Sequence, residues 1–124
     1  MPVTFPDEIL DRMAEKFRML SDPTRLSILR AILPGERSVS QVVSETGQSQ
    51  ANVSKHLKML AESGMVRRRK EGLQGFYAVS DPLCETLCQQ VCGTVLEEAR
   101  AQVEQNTRLL TTWRERGTGV PARA

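Results

Sequence analysis

The stretch "SVSQVVSETGQSQANVSKHLKMLAESG", residues 38–64, narrows most what this chain can fold into. It carries two helical patterns with only Thr46 to Gln48 between them. In the first, Ser38 suits an N-cap, Val39, Val42 and Val43 form an apolar trio, and Gly47 suits the exit. In the second, Ser49 suits the cap, Val53, Leu57 and Leu60 make a buried stripe, and Gly64 ends it. A short helix, a tight turn and a second helix with a polar, amide-rich outer face together predict a helix-turn-helix.

The flanks complete a pattern around this pair. "FPDEILDRMAEKFRMLSD" predicts a first helix, with Pro6 and acids in its first turn and Ile9, Leu10, Met13, Phe17 and Leu20 at helical spacing. "SDPTRLSILRAILPG" predicts a second, capped by Ser21 or Asp22, with Leu26, Leu29, Ile32 and Leu33 facing inward and Pro34-Gly35 ending it. In "MVRRRKEGLQGFYAVS", Met65-Val66 and Phe76 to Val79 are strand-like, and Glu71 to Gly75 between them carries two glycines. That predicts a β-hairpin with basic arms and tip, a wing. Asp81 and Pro82 open a long last helix in which Gly93 offers a kink point. The expected fold is mostly α with a β-hairpin wing, a winged helix-turn-helix of order ααααββα. It would occupy residues 1–116 as one domain, with 117–124 as a disordered tail.

The net charge of +2 is informative only when mapped along the 124 residues. Residues 1–49 hold six Lys/Arg against seven Asp/Glu, residues 50–80 six against two, and residues 81–124 five against six. The positive charge therefore sits in the middle third, which suggests a surface facing a polyanion. No apolar run approaches the roughly 20 residues of a membrane helix. The acidic start "MPVTFPDEILDRM" lacks the basic and apolar regions of a signal peptide, so a cytoplasmic location is expected. Three cysteines in a reducing compartment are thiols by default.

On the second helix of the pair, Gln50, Asn52, Ser54, Lys55, His56 and Lys58 lie away from the apolar stripe. Amides and Lys read base edges in a major groove, while Ser and helix N-termini serve phosphates. On the wing, Arg67, Arg68, Arg69 and Lys70 suit phosphate contact or minor-groove insertion. Either element alone fits a solvated surface equally well. Their combination on this charge map favours double-stranded DNA as partner.

These residues also carry a resemblance. "FRMLSDPTRLSILRAIL" followed by "SVSQVVSETGQSQANVSKHLKMLAESGMVRRRKEGLQGFYAVSDP" resembles the ArsR/SmtB family of bacterial winged-helix repressors over about residues 14 to 82. The resemblance implies a homodimer that pairs its first and last helices, binds a palindromic operator and is released by an inducer. It matches Ser49, Gln50, Asn52, Ser54, Lys55 and His56 to the family's recognition positions. His56, the single histidine, is otherwise read as an imidazole bracing the helix.

The family's best-known inducer sites do not carry over. The arsenic type has a Cys-x-Cys pair in the third helix, where this chain has "SVSQVVSETG". The zinc type needs several histidines on the last helix. An inducer site here would rest on Cys84, Cys88 and Cys92, which lie four residues apart in "LCETLCQQVCG". Neighbouring thiols at that spacing approach each other, whereas Cys84 and Cys92 are separated by about 12 Å along an unbroken helix. Cys84 falls in a first turn, where the helix dipole favours thiolate, although Asp81 and Glu85 oppose it.

Thiolates would select As(III), Cd(II), Hg(II), Cu(I) or Zn(II), and oxidants or reactive sulfur could use the same residues. A packing role stands beside both, because Leu83, Leu87, Val91 and Val95 flank the cysteines with a second apolar stripe. A thiol enzyme would carry Cys-x-x-Cys beside a βαβ unit, and the sequence holds neither. A helical scaffold without DNA would not need the basic wing. The expected function is a DNA-binding repressor, not an enzyme.

Overall fold

The computed structural model describes residues 4–116. Their elements are α1 (Asp7–Leu20), α2 (Pro23–Ile32), β1 (Arg37–Ser38), α3 (Val39–Thr46), α4 (Gln50–Glu62), β2 (Val66–Glu71), β3 (Gln74–Val79) and α5 (Pro82–Arg116). They fall into two compact units, one ending at Glu85 and one beginning at Thr86. The expected residue 117–124 tail lies outside the described residues.

The first unit is built on an aliphatic centre. Ile28, Leu29 and Ile32 of α2, Val42 of α3, and Val53, Leu57 and Leu60 of α4 are all at most 1% exposed. Met65 and Val66 close the centre from the wing side at 2%. Burying such side chains supplies about 1.5–3 kcal/mol each before the entropy of ordering is counted. The buried face of α2 falls on Arg25, Ile28, Leu29 and Ile32, the i, i+3, i+4, i+7 stripe, with Ala31 beside it. Leu26, expected inside, is 40% exposed, and Leu33 is half-buried. α1 departs further from its apolar pattern. Met19 is its one buried residue, while Ile9, Leu10 and Phe17 are 43%, 44% and 56% exposed.

Local chemistry sets the helix ends. Ser38 caps α3 in a capping box, its hydroxyl accepting from the Gln41 N–H while the Gln41 side chain accepts from the Ser38 N–H. Gly47 ends α3 in the left-handed region at φ 72°, which lets the chain turn within two residues to the Ser49 cap of α4. Asp22 caps α2 by accepting from the Arg25 N–H. The Arg25 side chain then donates to the carbonyls of Met19 and Arg18, both at 3.0 Å. Both carbonyls lie in the last turn of α1, where helical N–H partners run out; Arg18 O is also reached by the Ser21 N–H and hydroxyl, at 3.2 and 2.9 Å. Arg25 is 9% exposed and joins the two helices through their backbone.

The sheet has three strands in the order β1-β3-β2, all antiparallel. β1 was not expected; its two residues after the Pro34-Gly35 turn are too few to show an alternating pattern. The wing is also tighter than its sequence suggested. Glu71 pairs with Gln74, so the turn is only Gly72 and Leu73, and the basic residues belong to the strand. Gly72 has φ 60° at the first central position, the place where a two-residue hairpin turn demands glycine. α5 stays helical through Gly93, because intrahelical hydrogen bonding outweighs the roughly 1 kcal/mol cost of one glycine.

Replacing Arg25 with Met would keep the stem, orphan the Met19 carbonyl and take one donor from the Arg18 carbonyl. The expected cost is roughly 2 kcal/mol, read as a lower urea midpoint with unchanged slope.

Candidate nucleic-acid interface and thiol positions

Rotation of α4 about its axis is set by Val53, Leu57 and Leu60, each 0% exposed. That places Gln50, Ser54, Lys55 and Lys58 on the exposed side, with Asn52 and His56 partly covered. Ser49 accepts the Asn52 N–H at 3.1 Å as N-cap, and the Asn52 side-chain amide donates to Gln48 Oε1 at 3.2 Å. The edge of α4 nearest the turn is thus preorganised by its own amides. His56 differs from its neighbours: its Nδ1 is buried and has no hydrogen-bond partner.

The period of a strand sorts the wing cations onto two faces. Arg68 pairs with Tyr77 across the ladder, and Lys70 pairs with Gly75. On this face Arg68 and Tyr77 line a groove of about 480 Å³ with Ser54, Lys58, Ala61 and Glu62 of α4. Gly75 leaves room for Arg68 to lie across β3, since a Cβ there would meet Arg68 Nε at 2.9 Å. Recognition-helix and wing cations therefore line one open groove.

Arg67 and Arg69 are on the opposite face. Arg69 donates from Nε and Nη2 to the Glu36 carboxylate at 2.8–3.1 Å, and from Nη1 to Glu71 at 2.7 Å. Its guanidinium carbon stands 4.8 Å from the centroid of the Phe76 ring. Hydrogen bonding to Arg69 holds the Glu36 carboxyl below the ordinary carboxylate range, and the two carboxylates push Arg69 above its own. Sequence reading grouped Arg67 to Lys70 as one cationic run; strand parity and the distant Glu36 divide it.

The cysteines differ in burial. Cys84 is 0% exposed, Cys88 is partly exposed and Cys92 is exposed, and all three are thiols. Asp81 anchors the turn that carries Cys84. Its carboxylate accepts from the Leu83 N–H at 2.9 Å and from Lys16 Nζ of α1 at 2.5 Å, and its carbonyl accepts from the Cys84 N–H at 3.1 Å. Among the described residues, no group of three or more His, Cys, Asp or Glu side chains is placed to hold a metal ion. No helix among them is long and apolar enough to cross a membrane.

Two amphipathic helices in a tight turn, an antiparallel hairpin, and cations of both beside one groove define a winged helix-turn-helix protein. The chain belongs to the ArsR family of bacterial regulatory proteins, whose family pattern matches residues 22–68. It is 44% identical over 82 residues to the "probable mercury resistance operon repressor" of Streptomyces lividans, an alignment covering 66% of this chain and 62% of that protein. It is 37% identical over 75 residues to an uncharacterised helix-turn-helix transcriptional regulator of Methanocaldococcus jannaschii, covering 60% of this chain and 84% of that one. Among solved structures it resembles a homodimeric winged helix-turn-helix DNA-binding domain from Mycobacterium bovis. The TM-score is 0.69 at 26% identity, over 81% of this chain and 95% of the other. These relatives are regulators, and the thiol-enzyme alternative finds no counterpart among them.

The Lys16 hydrogen bond first, and the Leu83 N–H second, hold the Asp81 carboxyl below its ordinary value of about 3.9. A depressed carboxyl pKa contributes stability above the unfolded value and loses it as pH falls through the folded one. Asp81→Asn should therefore flatten the fall in stability below about pH 4, measured as urea midpoints at about pH 6 and pH 3.

Proposed function

We propose that the protein is a cytoplasmic transcriptional repressor that binds a palindromic double-stranded operator as a homodimer. The observation that carries this reading is the groove shared by α4 and the wing, lined by Lys58 of the one and Arg68 of the other. α4 enters the major groove and offers Gln50, Asn52, Ser54, Lys55 and His56 toward base edges and phosphates, with Ser49 at its N-terminus and Lys58 toward the backbone. Arg68 and Lys70 serve the sugar-phosphate backbone or the minor groove, and Arg67, on the other face of β2, adds to the positive field of the wing. Homodimerisation is supported by the exposed apolar residues of α1 (Ile9, Leu10, Phe17) and of α5 (Val91, Val95, Leu96), and by the homodimeric Mycobacterium bovis domain.

Release of the operator is assigned to a thiol-reactive inducer at Cys84, Cys88 and Cys92. The name of the Streptomyces lividans relative favours a soft ion of the Hg(II) kind, and As(III), Cd(II), Cu(I) and Zn(II) share the preference for thiolate. The burial of Cys84 against the exposure of Cys92 supports a pair of thiols rather than all three, with Cys88 as the common member. An oxidant or reactive sulfur species acting on the same thiols is the second reading, supported by the partial exposure of Cys88 beside the exposed Cys92.

Lys55→Ala and Arg68→Ala should each weaken binding to a duplex from the chain's own promoter while leaving the oligomeric state unchanged. Fluorescence anisotropy and light scattering check this, and unchanged affinity in both would remove the assigned surface. A Cys84→Ser/Cys88→Ser double variant should bind the same duplex as tightly. It should no longer release it on addition of Hg(II), As(III), Cd(II) or a persulfide donor. Normal release would return the cysteines to a packing role.

A further inference from the structure

Arg69 stands in the most basic stretch of the chain, yet its geometry suits another task. Its Nε, Nη1 and Nη2 all donate to carboxylates, and its flat face lies over Phe76. A guanidinium used at its edge and on its face has little left to offer a phosphate. Strand parity also turns it away from the groove that Arg68 lines with Ser54 and Lys58 of α4.

The partners of Arg69 explain what it does instead. Glu36 lies 33 residues earlier, immediately before β1, and β1 and β2 are the two outer strands of the sheet. The Arg69 side chain therefore crosses the middle strand, over Phe76, to reach the chain entering β1. Its rung is also the last one with support on both sides. Ser38 pairs with Phe76, which pairs with Arg69, and beyond it Lys70 to Gly75 are held by the hairpin alone. A two-stranded ribbon without a third strand is a marginal, twisting element. A tie at its root sets the direction in which its free end points.

We propose that Arg69 is a positioning residue: clamped to Glu36 across Phe76, it fixes the pitch of the wing and so directs Arg68 and Lys70 toward DNA. This rests on the DNA-binding function proposed above. An exposed ion pair adds little to global stability. The clamp acts on orientation, and the consequence is a reversal of the usual charge rule. Removing an acidic group from a DNA-binding protein ordinarily tightens binding, because repulsion of phosphate is lost. Here the loss of Glu36 releases the wing.

The test uses Glu36→Gln, Arg69→Gln and the double variant in the full chain, with a duplex from the chain's own promoter as probe. Each single variant is expected to weaken binding by about fivefold, and the double variant no further than either, as for two residues that act as one unit. The slope of log affinity against log salt should stay within about half a unit of the wild type, because no phosphate contact has been removed. In the free protein, amide exchange and 15N relaxation at Lys70 to Gly75 should report a looser wing in Glu36→Gln, with the α4 amides unchanged.

Tighter DNA binding by Glu36→Gln, or a drop of about one unit in the salt slope of Arg69→Gln, would make Arg69 a phosphate ligand and overturn the proposal. An unchanged wing in the free Glu36→Gln protein would overturn it equally. If the wild type binds no duplex while the wing loosens, the clamp stands and the DNA-binding function falls.

Discussion

The inward packing of α4 is the constraint on which the rest of the molecule depends. Val53, Leu57 and Leu60 have no exposed surface, and α4 packs on α2, α3 and β2. A helix held at three points along one stripe cannot rotate without lifting large apolar groups into water, at about 25 cal/mol for each Å² exposed. The direction of its polar side chains is therefore a consequence of the core. Gln50, Ser54, Lys55 and Lys58 face outward because the opposite stripe has nowhere else to go.

Backbone accounting does similar work at the junctions. The turn between α3 and α4 is short enough to be useful only because Gly47 takes the left-handed conformation and Ser49 caps the next helix at once. Arg25 spends its charge on the carbonyls that end α1 and not on a carboxylate. Asp81 both caps the start of α5 and binds Lys16 of α1. In each case a polar side chain closes an unsatisfied helix end, and the direction of the next element follows.

Much of this was legible beforehand. The helix pair, its caps Ser38 and Ser49, the Gly47 exit and the Val53/Leu57/Leu60 stripe all rest on local chemistry within a few residues. The hairpin was legible from its two glycines, although its turn proved shorter. Less legible was anything that depended on a distant partner. The α1 stripe of Ile9, Leu10 and Phe17 is amphipathic in sequence, yet it remains exposed in the single chain. The cysteine spacing is plain in sequence, but the gradient from buried Cys84 to exposed Cys92 is not.

By itself the sequence determined the element types, the helix-turn-helix spacing, the basic middle third and the residue types facing away from the α4 stripe. These follow from helical and strand periodicity, capping and charge, which act over a few residues. Only the tertiary structure decided which cations share a face. Arg68 was brought to α4 by Gly75 and the β2–β3 register, whereas Arg69 was drawn to Glu36 across a strand that two residues of β1 complete. The physical reason is range: a side chain's local preferences are written beside it, but its ion-pair partner is found only when the chain has folded back upon itself.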